Sequence, residues 1–300
     1  MQTLTQIRGL LAAHGLSPRK ALGQNFLIDH NLIRRLIEAS GIGPGDRVLE
    51  IGPGTGALTE GLLERGACVV ACELDRGLAA LLRSELGPRV SALHPRASFE
   101  LIEGDCLASK ARLAEPVLAA LGPGPFRLVA NLPYGAASGV MLALLIDHPQ
   151  CASLHVTIQR EVADRLLAGP GTSERGPLGI VAQAMARVER IADLPAECFW
   201  PRPEVASAMV AIVRAPAAVL TPRLTPGLAR ALADFCQTMF ASRRKQLGSV
   251  LGRDFPWPEG VRPENRIEDL ATPTVIALLE ARLGRMDQAG KADPGAPQRS

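Results

Sequence analysis

The chain has 300 residues, of which 47% are hydrophobic and 21% charged, and its formal net charge is +3. This composition is that of an ordinary globular protein, which excludes a disordered or collagen-like chain, and the length predicts one large domain with a smaller one. The six cysteines form no CxxC pair and the five histidines are scattered, so we expect free thiols and no metal site. No stretch has the pattern of a secretion signal or a membrane span, so we expect a cytoplasmic protein.

Positive charge gathers towards the two ends of the chain. Residues 215–300 contain 12 basic and 9 acidic side chains, and residues 1–35 contain five basic side chains and one acidic one. Such a distribution is expected around a groove that binds nucleic acid. Two solvated helical faces would give the same counts, so charge alone leaves both explanations open.

Two helices with a basic loop between them are predicted for the first 40 residues. Apolar spacing predicts a short amphipathic helix at 4–13 and a second helix that begins after Asp29, which can cap it, and ends near residue 39. The loop at 17–28 carries Arg19 and Lys20 and the adjacent amides of Gln24 and Asn25.

A strand, a glycine-rich loop, a helix, a second strand and an acidic residue follow one another between residues 47 and 73. The strand at 47–51 leads into Gly52-Pro53-Gly54-Thr55-Gly56, and after a helix at 57–65 the strand at 67–72 is followed by Glu73. Glycines let a ligand approach the backbone, and a carboxylate can accept hydrogen bonds from both hydroxyls of a ribose. This order predicts a nucleotide-like ligand at Gly52, Gly54 and Glu73.

Two further strands bring polar residues to the same edge of the predicted sheet. After a helix at 77–86, the strand at 99–103 precedes Asp105, and the strand at 126–130 precedes Asn131-Leu132-Pro133-Tyr134. Ligands of open α/β sheets bind at the carboxyl ends of parallel strands. Asp105 can accept a hydrogen bond from an adenine amino group or cap a helix. The tetrapeptide is either part of a site or a stiff turn with a half-buried tyrosine.

The remaining chain is predicted to complete the sheet and then to become purely helical. Before residue 215 we predict a helix at 138–146, a strand at 153–158, helices from 159 and at 178–186, an aromatic loop at 199–203, and an antiparallel edge strand at 205–213. Prolines near residue 216 mark a boundary, which predicts a domain at 1–216, a helical domain at 217–285 and a disordered tail at 286–300.

The helical domain is predicted to contain helices at 226–240, 243–251 and 274–283. Arg243-Arg244-Lys245 would begin the second of them. Three cations at a helix start oppose the helix dipole, which favours a role for these side chains outside the helix.

Taken together and in order, these motifs resemble those of the small-subunit ribosomal RNA adenine N6-dimethyltransferases, relatives of the erythromycin-resistance methylases. The resemblance covers residues 19–283, and its most specific motifs are KALGQNFL at 20–27, LEIGPGTG at 49–56, ELD at 73–75, GD at 104–105, NLPY at 131–134, QREVADR at 159–165, FWPRP at 199–203 and FASRRK at 240–245. It implies a Rossmann-like class I methyltransferase with a mostly parallel, doubly wound sheet and a small all-α C-terminal domain.

The resemblance also implies a function and partners. S-adenosylmethionine would be the methyl donor, and the substrates would be adjacent adenines near the 3′ end of 16S ribosomal RNA in an immature small subunit. A monomer with a role in subunit biogenesis, and with neither membrane nor metal, would be typical.

Residue roles follow by the same resemblance. The side-chain oxygen of Asn131 and the backbone carbonyl of Leu132 or Pro133 would accept the two protons of the adenine amino group, and Tyr134 and Phe199 would stack on the base. The donor would be held by Asn25, Leu27, Gly52, Gly54, Glu73, Asp105 and Asn131. Ribosomal RNA phosphates would be bound by Arg19, Lys20, Arg243, Arg244 and Lys245.

The chain departs from the family pattern at three places, all in motifs that would bind the target base and not the methyl donor. The family follows the tetrapeptide with Asn-Ile-Ser, where this chain has Gly135 and two alanines, and it has Tyr-Gly-x-Leu-Ser where this chain has RGPLG at 175–179. Ala206 replaces the aspartate of the family's Lys-Val-Asp-Ser. These positions bear on whether both adenines receive two methyl groups.

Two alternative functions stay open at this point. Gly52, Gly54 and Ala57 satisfy the dinucleotide spacing of an NAD-dependent oxidoreductase, although that function leaves the tetrapeptide at 131–134 unexplained and lacks a histidine or lysine beside the strand ends. The second alternative is a catalytically weak relative that binds RNA during ribosome assembly.

Overall fold

The computed structural model describes residues 2–109, 112–214 and 224–291, with side chains up to residue 286. Its strands are β1 (Phe26–Leu27), β2 (Arg47–Ile51), β3 (Cys68–Glu73), β4 (Ser98–Glu103), β5 (Leu107–Ser109), β6 (Arg112–Leu113), β7 (Phe126–Asn131), β8 (Cys151–Gln159), β9 (Ala186–Leu194), β10 (Phe199–Trp200) and β11 (Ser207–Arg214).

The helices alternate with the strands as far as β8 and dominate the end of the chain. They are α1 (Leu4–Ala13), α2 (His30–Ser40), α3 (Ala57–Glu64), α4 (Arg76–Glu85), α5 (Val90–Leu93), α6 (Glu115–Leu121), α7 (Ala137–Asp147), α8 (Arg160–Leu167), α9 (Pro177–Met185), α10 (Pro226–Phe240), α11 (Leu247–Leu251) and α12 (Thr272–Lys291).

Seven strands form the main sheet, in the order β4-β3-β2-β7-β8-β11-β9. The first five are parallel to their neighbours, and β11 and β9 form an antiparallel edge. The central strands are apolar almost without interruption because helices cover both faces of a parallel sheet; Leu49 and Leu128 are fully buried. The predicted Rossmann-like, doubly wound fold is confirmed.

Local capping explains where several helices begin and end. The Asp29 carboxylate accepts hydrogen bonds from the N–H groups of Asn31 and Leu32, as predicted for the start of α2, and Gly41 ends that helix in a left-handed conformation. Asp75 caps α4 in the same way. α1 packs its buried Ile7 and Leu11 into a small apolar cluster of the same unit.

The described residues divide into two compact units. The first contains the described residues up to Asp164 together with Ala186–Arg214, and the second contains Arg165–Met185 together with the described residues beyond Arg214. The predicted boundary at 216/217 falls among residues 215–223, which lie outside the described residues. Residues 165–185, which the sequence suggested belong to the first domain, instead group with the C-terminal helices.

A buried arginine contributes to that grouping. Arg175 is only 1% exposed, and its guanidinium donates hydrogen bonds to the carbonyls of Ala168 and Leu270, at 2.8 and 3.0 Å, and to Thr272 Oγ1 at 3.0 Å. A buried guanidinium needs such acceptors, and the carbonyl of Leu270 comes from a residue 95 positions away in the chain. These bonds tie the loop before α9 to the start of α12.

The long strand β9 was missed, and two predicted limits were wrong. β9 was not predicted because a register shift opposite Met209 and Val210 leaves Ile191 unpaired and breaks the alternation of its side chains. The helix predicted at 243–251 begins only at Leu247, since residues 241–244 form turns; the dipole argument for Arg243-Arg244-Lys245 therefore fails.

The third correction concerns the C-terminal tail. α12 continues to Lys291, past the start of the disordered tail predicted at residue 286, since the prolines that suggested disorder stand at 294 and 297. Residues 292–300 of that predicted tail lie outside the described residues. Within the residues that are described, no helix combines the length and apolar character needed to cross a membrane.

Candidate donor and base site

A cavity of about 470 Å³ lies in the first unit, at the carboxyl ends of β2, β3, β4 and β7. Its walls are the glycine loop after β2, the residues that follow β3, β4 and β7, and the N-terminal loop at 20–27. All seven residues predicted to hold the donor line it: Asn25, Leu27, Gly52, Gly54, Glu73, Asp105 and Asn131. The seven residues therefore share one cavity, and their role towards a donor stays a prediction.

The glycine loop has a backbone that other residues adopt with strain. Gly52 and Gly54 have φ values of +69° and +62°. A Cβ on Gly52 would lie 3.2 Å from Pro133 Cγ, and one on Gly54 would lie 2.9 Å from Phe26 Cε1. Glycine is therefore required here both by conformation and by close approach. The N–H groups of Gly52 and Gly54 are themselves engaged, with Cys72 O at 2.9 Å and Glu73 Oε2 at 3.1 Å.

Glu73 is held in place by two backbone donors. Its Oε2 accepts a hydrogen bond from Gly54 N at 3.1 Å, and its Oε1 accepts one from Asp75 N at 2.9 Å. Burial raises the pKa of this carboxyl, and the backbone N–H groups oppose that shift. The carboxylate is fixed at the end of β3, where it can accept hydrogen bonds from a vicinal diol.

Glu50 is a functional candidate that the sequence reasoning missed. It lies in β2, is 1% exposed and lines the cavity. Its Oε2 has no hydrogen-bond partner among the described residues, and burial together with the charge of Glu73 raises its pKa to about 8. An acidic residue between Leu49 and Ile51 in an otherwise apolar strand was the signal. This unpaired oxygen fits a polar ligand in the cavity.

Asp105 is exposed and stands at the cavity edge after β4. Its Oδ1 accepts a hydrogen bond from Leu107 N at 2.8 Å, which closes the turn into β5. The alternative that it caps a helix is wrong, because a strand follows. Its role towards an adenine amino group stays a prediction.

Asn131 is the last residue of β7 and is oriented by the N-terminal loop. Its Nδ2 donates a hydrogen bond to the carbonyl of Asn25 at 3.0 Å. That contact leaves Oδ1, which is an acceptor, and the second N–H of the amide available to a ligand. The sequence predicted an accepting oxygen at this position, and the contact with Asn25 explains how the side chain is turned.

The two carbonyls that follow differ in what they already bind. Pro133 O accepts hydrogen bonds from the N–H groups of Ala136 and Ala137, at 3.0 and 3.2 Å, at the start of α7. Leu132 is buried and its N–H donates to Thr157 O at 3.1 Å. Of the two carbonyls predicted as acceptors, that of Leu132 is therefore the better candidate.

Tyr134 is half-buried, and its phenol is anchored at the base of β11. Its hydroxyl lies 2.9 Å from Ser207 Oγ, and Ser207 is fully buried. Burial raises the pKa of the phenol, so it is neutral at physiological pH. The hydroxyl is engaged on one side, which leaves the ring as the part that can meet a base.

Phe199 is not brought to the cavity. It is 3% exposed and belongs to the hydrophobic core of the first unit, and it pairs with Leu27 between β10 and β1. Since successive side chains of a strand alternate, its neighbour Trp200 faces the other way and stacks on Phe26 at 6.3 Å. Phe199 is thus not among the residues that line the cavity, and its role as a second stacking face stays a prediction.

The five predicted RNA-binding residues fall into two groups. Arg19 and Arg243 take part in ion pairs, with Asp75 Oδ2 at 3.4 Å and with Glu268 Oε2 at 2.6 Å from the Arg243 Nε. The others, Lys20, Arg244 and Lys245, are exposed. Within the described residues there is no group of three histidine, cysteine or acidic side chains that could hold a metal ion, and all six cysteines are free.

Comparison with known proteins identifies the family. The model of the ribosomal RNA adenine dimethylase family matches residues 15–280. A protein of Phenylobacterium zucineum named ribosomal RNA small subunit methyltransferase A is 37% identical over 98% of both chains, and one of Streptomyces coelicolor with the same name is 39% identical over 82% of this chain and 81% of its own.

Solved structures agree in fold. A dimethyladenosine transferase from Plasmodium falciparum superposes with a TM-score of 0.67 at 22% identity, over 88% of this chain and 98% of its own. The 23S rRNA methyltransferase ErmE superposes with a TM-score of 0.63 at 25% identity, over 86% of this chain and 99% of its own. The resemblance inferred from the motifs is confirmed: the chain belongs to the ribosomal RNA adenine dimethylase family.

Proposed function

We propose that this protein transfers methyl groups from S-adenosylmethionine to the N6 atom of adenines in small-subunit ribosomal RNA. The observation that carries the proposal is the presence of Asn131 and Leu132, which have an amide oxygen and a backbone carbonyl to offer, in the wall of the glycine-loop cavity. The names of the relatives support the small subunit as the substrate.

The cavity suits a methyl donor of this kind. When bound, S-adenosylmethionine supplies a methyl group that its sulfonium makes electrophilic. Glu73 would hold the ribose, the backbone of Gly52 and Gly54 would line the donor, and Asp105 would accept from the adenine. Asn25 and Leu27 would face the methionine part. The observation that supports the fit is the buried, unpaired oxygen of Glu50 in the wall of the cavity.

The catalytic turn has the acceptors that the reaction requires. The lone pair of an adenine amino group is delocalised into the ring, so the nitrogen is a poor nucleophile. Asn131 Oδ1 and Leu132 O can accept its two hydrogen bonds and favour a geometry in which the lone pair points towards the donor. Tyr134 can stack on the extruded base. Positioning then provides most of the rate, without a histidine base.

The test is methylation of immature small subunits by the purified protein with labelled donor, followed by digestion of the RNA to nucleosides. We expect labelled dimethyladenosine, and we expect Asn131→Ala to abolish it while donor binding, measured by calorimetry, persists. Asn31→Ala is the control, because Asn31 is an exposed amide on α2. Donor binding without any methylation would support the alternative of a catalytically weak relative that acts in ribosome assembly. Label found only in large-subunit RNA would refute the proposal that small-subunit RNA is the substrate.

The oxidoreductase alternative is not favoured, because the relatives named above are methyltransferases and ribosomal RNA enzymes. Thermal shift with NAD and with S-adenosylmethionine separates the two functions directly.

Contacts to RNA phosphates are proposed for three exposed cations, Lys20, Arg244 and Lys245. Replacement of any one of them by Ala should then lower the salt dependence of RNA binding. A monomeric state, a cytoplasmic location and a part in subunit biogenesis belong to the same proposal.

A further inference from the structure

We propose that Asp75 is a positioning residue that closes the loop at 19–27 over the donor cavity, acting through Gln24 and Arg19. The catalytic consequence rests on the proposed function, whereas the closure itself is a property of the free protein. We call these three side chains the latch.

The two oxygens of Asp75 have separate tasks. Oδ1 caps α4 by accepting hydrogen bonds from Gly77 N at 2.8 Å and Leu78 N at 3.4 Å. Oδ2 accepts a hydrogen bond from Gln24 Nε2 at 3.0 Å and lies 3.4 Å from Arg19 Nε. Asp75 is 3% exposed, so the loop covers its carboxylate.

Gln24 connects that carboxylate to the start of the loop. Its Oε1 accepts a hydrogen bond from Arg19 N at 2.8 Å, while its Nε2 donates to Asp75. The amide is thus bound at both ends. Arg19 itself is 60% exposed, so its ion pair is the weaker part of the latch, and the hydrogen bond from Gln24 to a covered carboxylate is the stronger part.

The loop that the latch holds contributes to both halves of the site. Residues 20–27 line the cavity, and the carbonyl of Asn25, adjacent to Gln24, accepts the hydrogen bond that orients Asn131. Asp75 N in turn donates to Glu73 Oε1. One carboxylate therefore sits between the acidic residue of the donor wall and the loop that turns the catalytic amide.

Helix capping alone does not explain Asp75. Asp29 caps α2 with the same pattern, in which its Oδ1 accepts from Asn31 N at 2.9 Å and Leu32 N at 3.1 Å. The hydrogen bond that Gln24 Nε2 donates and the ion pair of Arg19 go to Asp75 and not to Asp29. Asp29 supplies a matched control, because replacement of either aspartate by Asn keeps an oxygen for the cap.

The latch can be broken from either side and rebuilt in reverse. Asp75→Asn sets one amide nitrogen against another, and Gln24→Glu sets two carboxylates against each other. The double variant exchanges donor and acceptor, since the carboxylate introduced at position 24 would accept from the new amide at position 75 and also from Arg19 N, and it restores the net charge. We therefore expect both single variants to open the loop and the double variant to close it.

The readouts need neither RNA nor methyl transfer. In the free protein we measure the rate at which trypsin releases the fragment that begins at Ala21, and by calorimetry the Kd for S-adenosylmethionine. Each single variant should be cleaved about tenfold faster and bind about tenfold more weakly, as for a lost charge-assisted hydrogen bond. Asp29→Asn should match the parent protein, and the double variant should recover most of both losses.

Several results would overturn the latch. These are single variants with unchanged cleavage and affinity, a double variant no better than the worse single one, or an equal effect of Asp29→Asn. If Asp75→Asn proves unfolded by thermal melting, Gln24→Glu and Gln24→Ala, which leave the cap of α4 intact, carry the test. A protein that lacks methylation but shows this cleavage pattern would refute the proposed function and keep the latch.

Discussion

Gly54→Ala tests whether the glycine loop is required by contact as well as by conformation. Gly54 has φ +62°, and an added Cβ would lie 2.9 Å from Phe26 Cε1. Ordinary carbon contacts are about 3.5–4.0 Å, so the ring would have to retreat by roughly 0.6–1.1 Å. Phe26 is 8% exposed and its ring is stacked on Trp200, which limits that retreat.

The expected loss of stability has two parts. The left-handed conformation costs an alanine about 1 kcal/mol, and overpacking against Phe26 costs about 1–3 kcal/mol more. Gly41 separates the two, since its φ is +61° and a Cβ there would meet no atom within 4 Å. Gly41→Ala should thus show the conformational part alone.

Denaturant unfolding of both variants gives the comparison. We expect Gly54→Ala to lose at least about 1 kcal/mol more free energy of unfolding than Gly41→Ala. It should also bind S-adenosylmethionine more weakly, because Gly54 N anchors Glu73. Equal losses in the two variants, with donor affinity unchanged for both, would refute the argument from contact.

Three further predictions concern single side chains. Glu50 keeps its proton in the folded state up to about pH 8, whereas its unperturbed pKa is 4.5. Between these values the unfolded state releases the proton and the folded state does not, so the free energy of unfolding falls as pH rises. Unfolding curves taken from pH 5 to 8 should therefore show Glu50→Gln gaining stability relative to the parent protein, by up to about 1 kcal/mol per pH unit. Tyr134→Phe, which loses only the bond to Ser207, should keep methyl transfer within a few-fold, while Tyr134→Ala should lose about 10- to 100-fold; equal losses would mean that the hydroxyl matters. Gly135→Asn restores the family residue where a Cβ meets no atom within 4 Å, so the free energy of unfolding should change by less than about 0.5 kcal/mol and turnover should not fall; a drop in either would show that this departure is required.

Elements with strong local signals were predicted to within a residue or two. β2 and α10 have the predicted limits, 47–51 and 226–240, because an apolar run before a glycine loop and a proline after a threonine cap are local features. The cavity could be predicted for the same reason. Neighbouring residues determine the turn after each parallel strand, and a parallel sheet brings those turns to one edge.

Sequence reasoning failed where residues far apart in the chain determine the position of a side chain. Whether Phe199 or Trp200 points into the core depends on the register of β10 against β1, and a two-residue strand gives no pattern that would predict it. The ion pair of Arg19 joins it to Asp75, 56 positions later in the chain. Such contacts follow from tertiary packing, so a basic residue that looks free in the sequence can be engaged in the fold.

If the proposed function holds, direct contacts couple donor binding to base positioning. A Cβ on Gly52 would lie 3.2 Å from Pro133 Cγ, so the glycine loop packs on the turn at 131–134. Asn131 is oriented by Asn25, in the loop at 20–27 that lines the same cavity. A substitution in either wall therefore shifts the other by a short path of direct contacts. Variants of the donor loop should for this reason lower kcat as well as raise KM for the donor, which a donor pocket independent of the turn would not produce.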